Sequence, residues 1–271
     1  MAFEKITEAE SAYHSIEKMP VGAILTAINT EDRKVPEAVT AAIPQIEALV
    51  KAIADKMLAG GRLFYIGAGT SGRLGVVDAS ECPPTFGVPE GLVNGIIAGG
   101  NEALVAAVEF AEDNAQKGWE DLAAHGVGPN DVVVGISASG MAPYVLYALK
   151  ECRNRHIITG AISCNPSTPI ASAADFPVEV IVGPEFITGS TRMKAGTAQK
   201  LVLNMISTAV MVLLGRVEDN HMVHMQLTNE KLINRGVEMV MRKLNISNAA
   251  HARALLLQYG SVKEAIRQYH P

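Results

Sequence analysis

Five short, strongly apolar runs recur along the chain and limit what it can fold into. They are Arg62–Ile66, Leu92–Ala98, Asp131–Ile136, His156–Ile162 and Val178–Val182. Each is rich in Val, Ile, Leu or Phe and stands close to Gly, Pro or Ser, as is typical of strands covered on both faces. Stretches of helical periodicity separate the runs. Strand and helix in alternation indicate βαβ units, so the sequence predicts an α/β fold with a doubly wound, five-stranded parallel sheet.

The periodicity between and after these runs predicts the helices. They are expected at Pro36–Ala59, Glu102–Lys117, Tyr144–Cys152, Thr191–Leu214, Thr228–Lys243 and Ala249–Tyr259, with one more short helix in Gly260–Pro271. Both ends of the chain lack strand-like runs. We therefore expect an N-terminal helical segment over residues 1–35, a sheet domain over 36–216 and a small C-terminal helical appendage over 217–271.

Charge and composition exclude several classes of protein. Lys and Arg number 23 against 28 Asp and Glu, and a net charge of −5 argues against binding of nucleic acid or anionic membranes. No basic stretch leads into an apolar run near the start, and the most apolar stretch, Ala198–Leu214, is interrupted by polar residues. Cys82, Cys152 and Cys164 lack CxxC spacing and are expected to be reduced thiols. These features predict a cytoplasmic protein.

Three loops rich in glycine and hydroxyl side chains stand where parallel sheets bind ligands, beyond strand ends and at helix starts. They are Gly67–Gly75, Ser137–Pro143 and Gly189–Arg192. In the first, Thr70 and Ser71 offer hydroxyls at a helix start, whose free N–H groups attract anions. Its glycine spacing fits a dinucleotide fingerprint, but the acidic ribose contact expected after the next strand is absent, which disfavours NAD.

The second and third loops each allow two interpretations. Ser137, Ser139 and Gly140 could bind a phosphate at a helix start, or Ser139 could be an ordinary N-cap. The third loop, with Ser190 and a nearby Arg192, could likewise bind an anion or cap a core helix. None of the loops carries the lysine of a Walker A motif, so nucleoside triphosphate chemistry is not expected.

Acidic and histidine side chains are the remaining candidates for chemistry. Glu81 precedes a pair of prolines and would ordinarily be a solvated surface group. Glu109 and Glu112 lie three apart on one predicted helical face, where a solvated stripe is the common outcome. His221 and His224 have helical spacing but no further ligands that the sequence identifies, so no metal site is expected.

Longer motifs carry a resemblance to a known family. They are Tyr65–Gly75 running into Asp78–Gly87, then Ala111–Asp113, Gly183–Glu185, Gly189–Lys200, Leu201–Met205 and Thr228–Leu232. Over roughly Ile6 to Leu232 the chain resembles the N-acetylmuramic acid 6-phosphate etherases, and the Gly67–Gly87 stretch is the most specific part. That family belongs to the sugar isomerase (SIS) domain proteins, which bind phosphosugars on a doubly wound sheet and usually dimerise.

The resemblance implies a lyase of cell-wall amino-sugar recycling that needs no cofactor or metal. It would cleave the D-lactyl ether of N-acetylmuramic acid 6-phosphate, giving N-acetylglucosamine 6-phosphate and D-lactate, by elimination followed by hydration. By motif, the two family glutamates fall on Glu81, assigned as the acid, and Glu112, assigned as the base. General acid–base assistance of this kind contributes roughly 10²–10⁴-fold per group.

The resemblance also implies a substrate site and a homodimer, in which some residues could act across the interface. The substrate is expected to contact hydroxyl, glycine and lysine residues of the three loops and of the helices after the first and third: Gly69, Thr70, Ser71, Ser80, Ser137, Ser139, Gly140, Ser190 and Lys194. The phosphate is placed on Ser137, Ser139 and nearby N–H groups.

The second loop departs from the family pattern. Family members commonly have Arg and Thr where this chain has Met141 and Ala142, so a cation and a hydroxyl are missing beside the expected phosphate. Two alternatives to the etherase stay open. A non-catalytic sugar-phosphate sensor, as in the related glucokinase regulatory protein, would bind without turnover. An aldose–ketose isomerase on the same fold would yield a ketose and no lactate.

Overall fold

The structure, a computed structural model, describes residues 5–108, 110–223, 227 and 230–269. Its centre is a parallel sheet of five strands: β1 (Leu63–Gly67), β2 (Val93–Ile97), β3 (Val132–Ile136), β4 (Ile158–Ser163) and β5 (Phe176–Glu179). The strand order is β2-β1-β3-β4-β5 and every pair is parallel. The predicted α/β fold with a five-stranded parallel sheet and flanking helices is confirmed.

The described helices follow the chain in a strand–helix alternation and then in a run of helices alone. They are α1 (Val21–Asp32), α2 (Lys34–Leu58), α3 (Gly69–Phe86), α4 (Glu102–Val105), α5 (Ala115–Ala124), α6 (Pro143–Asn154), α7 (Pro169–Ala173), α8 (Lys194–Leu213), α9 (Glu230–Leu244), α10 (Ala249–Tyr259) and α11 (Val262–Gln268). Three-residue 3-10 turns stand at Ile6–Glu8, Ile16–Lys18 and Ala111–Asp113.

The register of the central strands aligns their carboxyl ends. Gly67 at the end of β1 pairs with Ile97 of β2 on one side and with Ile136 of β3 on the other. β1 and β3 are buried throughout, because their apolar side chains pack against helices on the sheet's faces. The loops that leave these strands therefore start level with one another, at one edge of the sheet.

The single helix predicted over Glu102–Lys117 is wrong. α4 ends at Val105, Phe110 takes a left-handed backbone conformation (φ 61°), and a separate helix, α5, begins at Ala115. The Asn114 side chain caps α5 by accepting a hydrogen bond from the N–H of Lys117, at 3.3 Å. A left-handed residue and a second N-cap cannot lie inside one continuous helix, although the apolar spacing continues across them.

The last strand lies earlier than Val178–Val182, where the sequence predicts it. β5 pairs with β4 from Gly160 opposite Phe176 to Ser163 opposite Glu179. Since β4 ends at Ser163, residues beyond Val180 have no strand to pair with, however apolar they are.

The chain divides into two compact units. The first comprises Met1–Ala79 and Val93–Val210 and contains the sheet. The second comprises Ser80–Leu92 and Met211–Pro271 and contains α9, α10 and α11. A separate apolar cluster forms the core of the helical C-terminal part: Val223, Val237, Met239, Val240, Ala252, Leu256, Val262 and Ala265.

Within the described residues, one helix is long and apolar enough to cross a membrane, judged by length and composition only. This helix is α8, and half of its most apolar stretch is buried. Two of its polar side chains are buried and hydrogen-bonded to α3: Gln199 accepts from Ser71 at 2.9 Å, and Ser207 donates to Asp78 at 3.1 Å. These contacts are those of a core helix.

Candidate functional site

A cavity of about 270 Å³ opens at the carboxyl edge of the sheet, within the first unit. Six of the residues predicted from the sequence line it: Gly69, Thr70, Ser71, Glu112, Ser137 and Ser139. Its wall also contains Glu8 and Thr191, which sequence reasoning missed as site residues. The cavity thus combines hydroxyl groups from all three predicted loops with two carboxylates.

The β1–α3 loop reaches the cavity through a very tight turn. A Cβ added at Gly72 would lie 2.7 Å from the carbonyl oxygen of Gly67, so only glycine lets the helix start so close to the strand. As a result the first turn of α3 presents Thr70 and Ser71 to the cavity. Free N–H groups at such a helix start favour an anionic ligand.

The β3–α6 loop is held by hydrogen bonds among its own residues. Ser137 Oγ accepts from the N–H of Gly140 at 3.2 Å and lies 3.4 Å from Ser139 Oγ. Ser139 Oγ accepts from the N–H of Met141 at 3.3 Å. Of the two interpretations of Ser139, the N-cap is wrong: α6 begins at Pro143, with Ala142 at the cap position, because proline takes the first helical position and needs no donor there.

The N-terminal turn Ile6–Glu8 is tied to this loop through Asn165. The N–H of Thr7 donates to Asn165 Oδ1 at 2.9 Å, and Asn165 Nδ2 donates to the carbonyl of Ser139 at 3.1 Å. This anchor explains why Glu8 lines the cavity. The sequence signal for Glu8 is weak: the family resemblance begins at Ile6, but the pattern over residues 1–35 predicts only a helical segment.

The Gly189–Arg192 loop leads into α8, which begins at Lys194, three residues later than predicted. The buried carboxylate of Glu185 accepts hydrogen bonds from the N–H groups of Lys194 and Ala195, both at 2.9 Å. A carboxylate therefore already occupies this helix start. Ser190 lies in the loop, half-buried, and is not part of the cavity wall.

Lys194, predicted to contact the substrate, has a different contact. Its ammonium group is buried and lies 2.6 Å from Glu31 Oε2 on α1. The other oxygen of Glu31 accepts from Lys34 at 2.8 Å and from the hydroxyl of Tyr13 at 3.1 Å. Burial opposes ionisation of Glu31, but hydrogen bonds from Lys194 and Lys34, with their positive charges, hold its pKa below the ordinary value.

The predicted catalytic glutamates fall in different parts of the chain. Glu112 lies in the 3-10 turn Ala111–Asp113, exposed, and lines both the 270 Å³ cavity and a second cavity of about 170 Å³. Ser80 and Glu81 are exposed on α3, in the segment that belongs to the second unit. Gly140 supports the β3–α6 loop and is not in the cavity wall.

Over the described ranges, no three or more His, Cys, Asp or Glu side chains form a group that could hold a metal ion. His221 lies 2.9 Å from a guanidinium nitrogen of Arg242. His224, which has helical spacing to His221 in the sequence, lies outside the described residues, as does Glu109.

Comparison with known proteins places this chain in a family. Residues 114–209 match the SIS domain, and residues 43–153 match the glucokinase regulatory protein N-terminal SIS domain. N-acetylmuramic acid 6-phosphate etherase of Porphyromonas gingivalis is 57% identical over 99% of both chains. The chain belongs to the N-acetylmuramic acid 6-phosphate etherase family. The etherase of Bacteroides thetaiotaomicron is 56% identical over 99% of this chain and 97% of its own.

Solved structures agree on the fold of this etherase-family chain. Phosphoheptose isomerase of Francisella tularensis has a TM-score of 0.54 and 19% identity, covering 72% of this chain and 100% of its own. Phosphoheptose isomerase of Neisseria gonorrhoeae has a TM-score of 0.52 and 18% identity, covering 70% and 97%. The predicted SIS fold and the predicted family are both confirmed.

Proposed function

We propose that this chain cleaves the D-lactyl ether of N-acetylmuramic acid 6-phosphate, releasing D-lactate and N-acetylglucosamine 6-phosphate. The observation that carries the proposal is the 57% identity to a named etherase over 99% of both chains. The cavity supports it, because Glu112 shares a wall with Ser137, Ser139 and Thr70, a carboxylate beside groups that suit a phosphate. The chain is accordingly a carbon–oxygen lyase of amino-sugar catabolism.

The chemistry needs one base and one acid. Opening of the sugar ring exposes an aldehyde at C1, which acidifies the hydrogen on C2. Glu112 takes that proton, a C2–C3 double bond forms, and the C3–O bond breaks as the departing ether oxygen is protonated. The family resemblance, and not the cavity, gives this last role to Glu81. Water then adds its oxygen to C3 and a proton returns to C2, giving the product sugar.

We place the phosphate of the substrate at the β1–α3 and β3–α6 loops. The N–H groups of Thr70 and Ser71 and the hydroxyl of Thr70 approach it from one side, and the hydroxyls of Ser137 and Ser139 from the other. Ser71 donates its hydroxyl hydrogen to Gln199, which leaves its oxygen as an acceptor and its N–H as the donor toward the ligand. Met141 is 40% exposed and supplies no charge, so backbone dipoles and hydroxyls carry phosphate binding here.

The test is enzymatic release of D-lactate from N-acetylmuramic acid 6-phosphate. We expect Glu81→Gln and Glu112→Gln each to lower kcat by roughly 10²–10⁴-fold. Asp113→Asn, an exposed neighbour in the same 3-10 turn, is the matched control and should retain activity. Undiminished lactate release by Glu112→Gln would exclude this assignment, and a ketose product without lactate would indicate an isomerase.

Deuterium incorporation separates the two roles. In D2O the wild type should place deuterium at C2 of the product. Glu112→Gln should lose two activities together: the exchange of the C2 hydrogen of the product sugar with solvent deuterium, and the release of lactate. Glu81→Gln should retain partial C2–H abstraction from the substrate while lactate release falls, because only the leaving-group step depends on the acid. The opposite pattern would exchange the two assignments.

We infer further that the protein acts as a homodimer in the cytoplasm. The SIS resemblance supports the dimer, and α1 carries two exposed apolar side chains one turn apart, Val21 (72% exposed) and Leu25 (61%). A phosphorylated substrate and three buried cysteines that form no disulfide support the location. Sedimentation equilibrium should give twice the chain mass of 28.7 kDa. A monomer mass at micromolar concentration contradicts the dimer.

A further inference from the structure

Arg73 on α3 carries a positive charge that no carboxylate neutralises within the described part of the chain. Its Nε donates to the carbonyl of Leu104 at 3.3 Å, and its Nη2 to the carbonyl of Ala106 at 2.9 Å. Backbone carbonyls satisfy two of its five N–H donors and leave the net charge in place. Arg73 is only partly buried, so the remaining donors are accessible to a ligand.

Arg73 is one of the residues that line the 170 Å³ cavity. Apart from Arg73, Gly69 and Glu112, the wall is apolar and mostly made of small side chains: Ala68, Ala98, Ala103, Ala107, Val108, Phe110 and Ala111. The cavity shares Ala68, Gly69 and Glu112 with the larger, hydroxyl-lined cavity. Glu112 therefore stands where the two cavities meet.

A small, largely apolar cavity whose described wall includes the cation of Arg73 suits a short group that has a methyl and an anionic end. The ether substituent of the proposed substrate is such a group, with one methyl and one carboxylate on the carbon attached to the ether oxygen. We propose that the small cavity binds the lactyl group and that Arg73 binds its carboxylate. This assignment rests on the proposed function and makes Arg73 the residue that selects lactyl ethers.

The position of Glu112 is consistent with this arrangement. Glu112 is assigned to remove the proton from C2, and the ether oxygen is attached to the adjacent carbon, C3. A sugar in the larger cavity with its lactyl group in the smaller one has C2 and C3 at the junction, beside Glu112. Arg73 would then also hold the released lactate until the sugar is hydrated.

The test compares two substrates, N-acetylmuramic acid 6-phosphate and the 3-O-isopropyl ether of N-acetylglucosamine 6-phosphate. The second has a methyl in place of the carboxylate and is otherwise the same shape. For Arg73→Met we expect kcat/KM on the lactyl ether to fall roughly 10- to 100-fold more than on the isopropyl ether. Intrinsic differences in leaving-group reactivity cancel, because each variant is compared with the wild type on the same substrate.

A second variant avoids the contacts of Arg73 with the backbone. Ala107 is exposed and lines the small cavity, so Ala107→Asp adds an anion there without disturbing the core. We expect the same selective loss on the lactyl ether. Val105→Asp is the matched control: Val105 is 90% exposed, two residues away and outside the cavity wall, and the same added charge should change neither substrate.

The outcomes separate the two proposals. A wild type that cleaves neither ether contradicts the proposed function itself. A wild type that releases lactate, with Arg73→Met and Ala107→Asp slowing both ethers equally, overturns the lactyl site and leaves Arg73 as a residue that positions the Glu112 segment. Selective loss on the lactyl ether in both variants supports the lactyl site.

Discussion

The contact between Glu31 and Lys194 gives one residue-scale prediction. Both groups are buried, with Glu31 6% and Lys194 1% exposed, and their 2.6 Å contact connects α1 to the start of α8. Glu31→Gln leaves a buried ammonium group without its counter-charge, so we expect a loss of about 3 kcal/mol in the free energy of unfolding at pH 7. Urea denaturation of the two proteins measures the difference.

The same carboxylate predicts a pH dependence. Because the pKa of Glu31 is lower in the folded protein than in the unfolded chain, its contribution is complete above its ordinary pKa of about 4.5. That contribution is lost as the pH falls through the lowered pKa of Glu31 in the folded protein. The difference in the free energy of unfolding between wild type and Glu31→Gln should therefore narrow below pH 4.5. Lys34→Met is the control: it removes the exposed partner of Glu31 and should cost under about 1 kcal/mol. A difference in the free energy of unfolding that does not change with pH would contradict the ion pair.

Among the elements, the β3–α6 loop depends on one glycine. Gly140 has φ +74°, and a Cβ there would lie 2.3 Å from the side chain of Thr168. We expect Gly140→Ala to destabilise the protein by about 2–5 kcal/mol, from backbone strain and overpacking together. Gly126→Ala separates the two causes, because Gly126 has a similar φ of +63° with nothing within 4 Å. It should cost only about 1–2 kcal/mol. Thermal unfolding of both variants checks this; equal losses would show that the Thr168 contact is unimportant.

Among the elements, the local sequence pattern predicted those strands whose limits are set by local apolar runs. β1 and β3 are apolar runs bounded by loop residues, and their positions were predicted to within one residue. The break at Phe110 was not predictable, because its left-handed backbone lies inside continuous helical spacing. The shift of β5 was also hidden, since its limits depend on where β4 ends.

The site was predictable to the same extent. Loops with glycine and hydroxyl residues after strands were identified, and six of the predicted residues share a cavity wall. Lys194 closely follows a loop of suitable composition, but the residue it contacts, Glu31, is 163 positions away and no spacing rule connects them. Long-range partners of charged side chains are set by packing, which sequence spacing does not record.

For the whole molecule, three buried thiols can report how the chain opens. Cys152 and Cys164 lie in the first unit, fully buried, and burial raises the pKa of each thiol to about 12. Cys82, 2% exposed, lies in the α3 segment of the second unit. Because the thiolate is the reactive form, a native thiol of such high pKa reacts with a disulfide reagent only after local or global unfolding.

We therefore expect slow labelling by Ellman's reagent at pH 8, with two distinct rates. Cys152 and Cys164 should react together, because both require opening of the sheet-containing unit. Cys82 should react faster, because the second unit has the smaller set of buried side chains and smaller cores are less stable. A Cys82→Ala variant assigns the fast phase, which should disappear from it. A single rate for all three thiols would mean instead that the two units unfold in one cooperative step.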